Sequence, residues 1–329
     1  MADPSLPSAS AVGLGRAAQP LPCAYSPCNT YRCLASPMLG FVAGIVAANY
    51  APYVLWSEHP TAWSWVCLCV FHVLVALLLA SYCACVFTDP GTVPEYWNEM
   101  IATDEALAAE HRYCTRSRKY RPLRSHFCSV TRRVVLNMDH FCPWVVNTVG
   151  FYNRKFFVLF LFYACATIFF SAISLGARVP EMAAWAATTD RWLPGVFNVV
   201  LIVASLVIDV LLLFVLGPFL IMHVRMAHKN ETTIDGSRYP QYDLGAAANL
   251  AQVFGRRRWT WLLPCYCYGP DGDGIHWPTS SGGGGGAAQR GSSCGGGGGD
   301  MASSPLGAKP SSSEVEMESA SEVGATEPV

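Results

Sequence analysis

Hydrophobic residues in this chain gather in four long stretches, over 38–56, 63–87, 156–175 and 196–222. Each is close to or above the roughly 20 residues that a helix needs to cross the apolar core of a bilayer. Core helices of soluble proteins keep a polar face, whereas these segments are apolar all round. Asn49, Tyr50 and Pro52 interrupt the first, which makes it the weakest of the four. The polar remainder falls into an N-terminal segment (1–37), an insert between spans two and three (88–155), a region of short motifs (223–268) and a tail (269–329). This pattern predicts an all-α integral membrane protein of four transmembrane helices. The composition agrees: of 329 residues, 52% are hydrophobic and 14% charged, too few charges for a soluble domain of this length.

Basic residues set the expected orientation. The insert carries ten Lys/Arg, among them Arg112, Arg116, Arg118, Lys119, Arg121, Arg124, Arg132 and Arg133. The turn 57–61 has none, and 176–194 has only Arg178 and Arg191. Arg225, Lys229, Arg238 and Arg256-Arg257-Arg258 follow the last span. By the positive-inside rule both termini and the insert face the cytosol. Residues 1–37 show no charged region followed by a short apolar core and cleavage site, so no removable signal peptide is expected. Most of the fourteen cysteines fall in spans or face a reducing compartment, and disulfides are not expected. The Gly- and Ser-rich tail, ending in Glu314, Glu316, Glu318, Glu322 and Glu327, cannot bury enough apolar surface to fold. No internal repeat, phosphate-binding loop or dinucleotide fingerprint is evident, and no nucleic-acid partner is expected.

Asp139-His140-Phe141-Cys142-Pro143-Trp144 places an acid, an imidazole and a thiol within four residues. A cysteine attacks only as its thiolate, and a free thiol has a pKa of about 8.5, so it needs a base or a positive neighbour at neutral pH. A histidine held by a carboxylate supplies that base. Pro143 biases Cys142 toward extended backbone. In an extended segment His140 and Cys142 share one face and Phe141 takes the other.

Several separated motifs carry a resemblance to the Asp-His-His-Cys protein S-acyltransferases, the palmitoyltransferases, over about 38–263. Thr88-Asp89-Pro90-Gly91 directly follows the second span. The insert contains Arg121-Pro122-Leu123-Arg124-Ser125-His126, Val135-Leu136-Asn137-Met138, Pro143-Trp144-Val145, Asn147 through Gly150, and Asn153 to Phe157. Thr232-Thr233-Ile234-Asp235 follows the fourth span and is similar to the family's Thr-Thr-x-Glu. Asn249-Leu250-Ala251-Gln252-Val253-Phe254-Gly255 resembles its C-terminal Asn-x-x-Gln-Val-Phe-Gly motif. The resemblance implies a small cytosolic cysteine-rich-type domain at 88–155.

That family holds two structural zinc ions on six cysteines and two histidines. The matching positions here are Cys114, Ser117, Phe127, Cys128, Thr131, Val134, Phe141 and Thr148. Two ligands of eight remain, where one structural zinc needs four. His126 sits one residue from an expected ligand position, which still totals only three. No structural zinc is expected. Phe127, Phe141 and Val134 are expected to bury apolar surface instead, with Phe141 turned away from the reactive face.

What the resemblance implies for chemistry is a two-step acyl transfer. Cys142 takes the acyl group of a long-chain acyl-CoA and passes it to a cysteine of a cytosolic or membrane-attached protein, with His140 as base and acid and Asp139 orienting it. A space among the helices would hold the chain. Arg124, Arg132, Arg133 and Lys155 are the candidate cations for the CoA phosphates. Family members commonly reside in the Golgi or endoplasmic reticulum. The runner-up reading is a catalytically inactive membrane scaffold; a transporter is a weaker third. Lesser features are Asp209 inside the fourth span with His72 as a conceivable partner, an interfacial segment at 249–263 in which Asn249 anchors or caps, and near-membrane thiols Cys23, Cys28, Cys33, Cys265 and Cys267.

Overall fold

The structure, a computed structural model, describes residues 36–55, 62–188, 192–265 and 269–280. The readings of residues 1–35, the turn 57–61, Arg191, Cys267 and the acidic tail lie outside them. Helix α1 spans Ser36–Leu55 and α2 spans Ala62–Phe87. Among the described residues three stretches are long and apolar enough to cross a membrane: α2, a stretch opening at Arg154, and Val199–Lys229. The corresponding helices are α5 (Arg154–Gly176) and α7 (Trp192–Lys229), with α6 (Val179–Thr188) between them. The first of the four expected spans is the exception: α1 holds a shorter apolar run, Leu39–Tyr50, as the polar interruption at Asn49 predicts. Helix α5 is central, packed between α2 and α7, and α1 lies against α7. The last helix runs seven residues past the expected boundary at 222, to Lys229.

The insert differs from the all-α expectation. After α3 (Glu95–Ala102) and α4 (Glu105–Glu110) it folds as three two-stranded antiparallel hairpins. They are β1–β2 (Tyr113–Cys114, Lys119–Tyr120), β3–β4 (His126–Cys128, Arg133–Val135) and β5–β6 (His140–Cys142, Asn147–Val149). Units this short, closed by tight turns, leave no room for helical turns between them.

The hairpins are copies of one another, which corrects the expectation of no internal repeat. Tyr113, Phe127 and Phe141, each 14 residues after the last, pair with Tyr120, Val134 and Thr148. Each turn carries a left-handed residue at the same place: Arg118 (φ 54), Arg132 (φ 53) and Val146 (φ 51). His126-Phe127-Cys128 recurs as His140-Phe141-Cys142. The period is hidden in the sequence because only the cysteine is common to all three copies.

The hairpins are held from two sides. Val134, Leu136 and Phe151 pack with Val93, Trp97, Ile101 and Ile275, and Cys114, Tyr120, Phe127 and Trp277 close over that cluster. On the membrane side Asn147 Nδ2 donates to the carbonyls of Cys85 (3.1 Å), Val86 (3.3 Å) and Thr88 (2.9 Å), tying β6 to the exposed carbonyl end of α2. Asn249, on α8 (Ala246–Phe254), donates to the His228 carbonyl (2.7 Å) and Asp243 Oδ1 (2.6 Å), which fastens α8 to the end of α7.

Candidate functional site

Strand β5 alternates as its extended backbone requires. Phe141 packs on Cys128, Val135 and Met138. Cys142 turns the other way, into a cluster with Cys85, Val86, Val145, Val149, Phe156, Phe157 and Leu161 at the ends of α2 and α5. His140 shares its side of the strand, edge-on to Phe157 at 5.1 Å between ring centroids. The structure therefore brings Asp139, His140 and Cys142 together at the junction of hairpin and helices.

Asp139 is buried and saturated with donors. His140 Nδ1 lies 2.7 Å from its Oδ2, and the Thr233 amide donates to Oδ1 at 2.7 Å. The Thr233 hydroxyl donates to the Asp139 carbonyl as well. Burial works against the carboxylate, but the His140 hydrogen bond and the Arg154 guanidinium hold its pKa down to about 2. Burial likewise works against the imidazolium of His140, yet the hydrogen bonds to Asp139 and to Cys142 raise it to about 9. A proton reaching His140 near neutral pH is thus kept there. The arrangement can take a thiol proton, store it on a ring of fixed orientation, and return it to a leaving group.

Three neighbours escaped the sequence reading. Thr233 is legible in the sequence only as part of a motif. Arg154, fully buried at the start of α5, donates to the Glu231 carbonyl. His223, on α7, is fully buried with Nδ1 3.8 Å from Asp139 Oδ2. His223 falls one residue past the expected end of the fourth span, and only the extension of α7 to Lys229 puts this ionisable residue inside an apolar helix, where such groups are functional candidates.

The expected CoA cations separate. Arg124 is buried: Nε donates to Asp235 Oδ2 (2.9 Å), its other nitrogens bond Asn230, and its guanidinium lies 4.3 Å from the Trp277 ring centroid. Lys155 is also fully buried, with Nζ donating to the carbonyls of Thr260 (2.9 Å) and Cys265 (2.7 Å). Both expectations are corrected: these cations join segments of the chain and offer no charge at the surface. Arg132 is exposed in its hairpin turn. Arg133 is three-quarters buried and bonds Asp89 Oδ2 at 2.7 Å. His72 pairs with the Tyr50 hydroxyl (2.7 Å) on α1, while Asp209 is fully buried on α7.

The two retained cysteines outside the reactive triplet have their own surroundings. Cys128 Sγ accepts from the Thr148 hydroxyl at 3.2 Å and the Thr131 amide at 3.5 Å. Cys114 packs at the edge of the cluster that contains Val134 and Phe127.

A family model described as DHHC palmitoyltransferase matches residues 108–239. The chain is 37% identical over 274 residues to probable protein S-acyltransferase 13 of Arabidopsis thaliana, covering 73% of this chain and 87% of that protein. It is 32% identical over 259 residues to probable protein S-acyltransferase 12 of the same plant, covering 72% and 88%. The chain belongs to the DHHC palmitoyltransferase family. It is 31% identical over 251 residues to palmitoyltransferase ZDHHC2 of Rattus norvegicus, covering 65% of this chain and 66% of that protein. Family membership makes this a multi-pass membrane protein with protein S-acyltransferase activity.

Proposed function

We propose that Cys142 is the nucleophile of a two-step acyl transfer, with His140 as its base and Asp139 as the group that orients and charges His140. In the first step the Cys142 thiol gives its proton to His140 and the sulfur attacks the thioester carbonyl of a long-chain acyl-CoA. The bond to the CoA sulfur breaks, and His140 returns the proton to that leaving thiolate. In the second step a cysteine of a cytosolic or membrane-attached protein gives its proton to His140 and attacks the acylated Cys142, whose sulfur leaves. The observation that carries this reading is the chain of contacts from the buried Asp139 carboxylate through the His140 ring to Cys142. The apolar cluster beneath Cys142 suits an acyl chain entering between α2, α5 and α7. Arg132 and the partly exposed Arg133 are the remaining candidates for the CoA phosphates.

In this reading α1 completes a set of four spans, the hairpins face the cytosol, and the protein resides in an endomembrane such as the Golgi or endoplasmic reticulum. The metal positions of the family do not fit structural zinc in this chain. Cys128 has Thr131, Thr148 and the Phe141 ring around it, and a sulfur receiving two hydrogen bonds beside an aromatic ring is one ligand, not four. Cys114 has Phe127 and Val134 in its cluster. Apolar packing takes over the bracing role, and no step of the reaction runs through a metal.

The test is labelling of purified protein with palmitoyl-CoA. Wild type acquires a hydroxylamine-sensitive label, Cys142→Ala acquires none, and Cys128→Ala keeps it. Undiminished label in Cys142→Ala rejects the assignment; wild type without label supports the inactive scaffold.

A further inference from the structure

His223 is an anomaly of the site. It is fully buried, and neither ring nitrogen has a hydrogen-bond partner among the described residues. A buried imidazole without partners costs about 1–3 kcal/mol unless a water or an ion satisfies it. Its ring stands edge-on to Phe219 at 4.5 Å and to Phe157 at 5.0 Å between centroids. What it faces is the Asp139–His140 pair, with 3.8 Å from Nδ1 to Asp139 Oδ2 and 5.6 Å between the two imidazole centroids.

We propose that Asp139, His140 and His223 form an inhibitory zinc site built into the catalytic pair. Among the described residues this is the group of His, Cys, Asp or Glu whose ligand atoms come together, all within 4.8 Å of one another. Zinc bonds of about 2.0–2.2 Å in a tetrahedron separate ligand atoms by roughly 3.3–3.5 Å. The separations in the structure, 2.7 Å for Asp139 to His140 and 3.8 Å for Asp139 to His223, bracket that value. The Asp139–His140 pair opens and the two imidazoles, whose ligand atoms lie within 4.8 Å, draw together to close the site on the ion. Two imidazoles and a carboxylate with one open position is a donor set that zinc takes readily. His140 is partly exposed, which leaves a route for the ion, and the zinc is distinct from the structural ions for which this chain lacks ligands.

Inhibition follows from which nitrogen the metal occupies. His140 faces Asp139 through Nδ1. Zinc bonding there displaces the Nδ1 proton to solvent and moves in between ring and carboxylate. The neutral ring then carries its remaining N–H at Nε2, where no lone pair is left to accept the Cys142 proton. The nucleophile is not consumed, so removing the metal restores the base. This inference rests on the proposed role of His140.

The experiment uses the purified full chain, stripped of adventitious metal, with zinc alone as the probe at buffered free concentrations. Label from palmitoyl-CoA in wild type is lost as free zinc rises and returns with EDTA. His223→Phe and His223→Gln, each normalised to its own metal-free activity, need roughly 10-fold or more zinc for half-inhibition. Equal half-inhibition in wild type and both variants overturns the site, as does failure of zinc to inhibit wild type below millimolar concentration. A second readout is independent of turnover: Co2+ added to Cys142→Ser gives visible ligand-field bands that disappear with His223→Phe. Bands that persist, or never form, overturn the site. Those outcomes leave the nucleophile assignment untouched, since that is tested separately by metal-free labelling of wild type and Cys142→Ala.

Discussion

His126-Phe127-Cys128 and His140-Phe141-Cys142 occupy equivalent places in successive hairpins, and each histidine meets an aspartate. Their surroundings make them opposites. Asp235 meets His126 at 3.2 Å but bonds Arg124 more closely, so its charge is spent on the guanidinium. Cys128 is packed with donors from Thr131 and Thr148. Asp139 Oδ2 instead meets the His140 ring at 2.7 Å, and Cys142 faces the helices. The same three residues therefore give a brace in one copy and a reactive group in the next. Asp139→Asn keeps the Oδ1 acceptor for the Thr233 amide but removes the charge that holds the imidazolium. Acylation should slow by roughly 10²–10⁴-fold with little loss of fold, measured as the single-turnover rate beside a thermal melt. The triplet was legible because its members are contiguous. His223 and Arg154 were not, since only the packing of α5 and α7 brings them to Asp139. The burial of Arg124 and Lys155 is hidden for a related reason: a sequence gives charge but not burial.

At the scale of elements, each apolar helix could be read from its run of residues, whereas the hairpins could not. Their strands are two or three residues long, and their order comes from a repeat that the substitutions have blurred. What ties the insert to the segment that follows α7 is the Arg124–Asp235 pair, nearly inaccessible to solvent on both sides. Burial favours the neutral acid, but hydrogen bonds from His126 and Arg124 keep the Asp235 carboxyl below the usual carboxylate range. A folded-state pKa lower than the unfolded value of about 3.9 stabilises the fold above that pH. The contribution is lost as pH falls through the folded-state value. Asp235→Asn should cost about 3–5 kcal/mol at neutral pH, because it leaves Arg124 buried without its counterion. The gap between wild type and variant, followed by denaturant melts, should narrow below about pH 3.9. A gap that is constant with pH would assign the loss to packing.

Across the whole molecule the reactive hairpin hangs between two supports, the helix ends gripped by Asn147 and an apolar cluster closed from the far side by Ile275 and Trp277. Since apolar packing is the proposed brace, prolonged EDTA treatment should leave the melting temperature of the purified protein unchanged and should not lower its acyl-CoA labelling. Removing part of the brace should matter instead: Trp277→Ala should lower stability by about 3 kcal/mol. An EDTA-induced collapse would show that metal still holds the domain. The membrane plan was legible down to the weakness of the first span, whereas the far support draws on residues beyond 268 that the sequence presented as the start of a featureless tail.

Peptide mapping by mass spectrometry after incubation with palmitoyl-CoA addresses the central claim most directly. A hydroxylamine-labile acyl adduct on the peptide containing Cys142, lost in Asp139→Asn at short times, is the predicted result. An adduct confined to Cys128 or Cys265, with Cys142 unmodified, would contradict it.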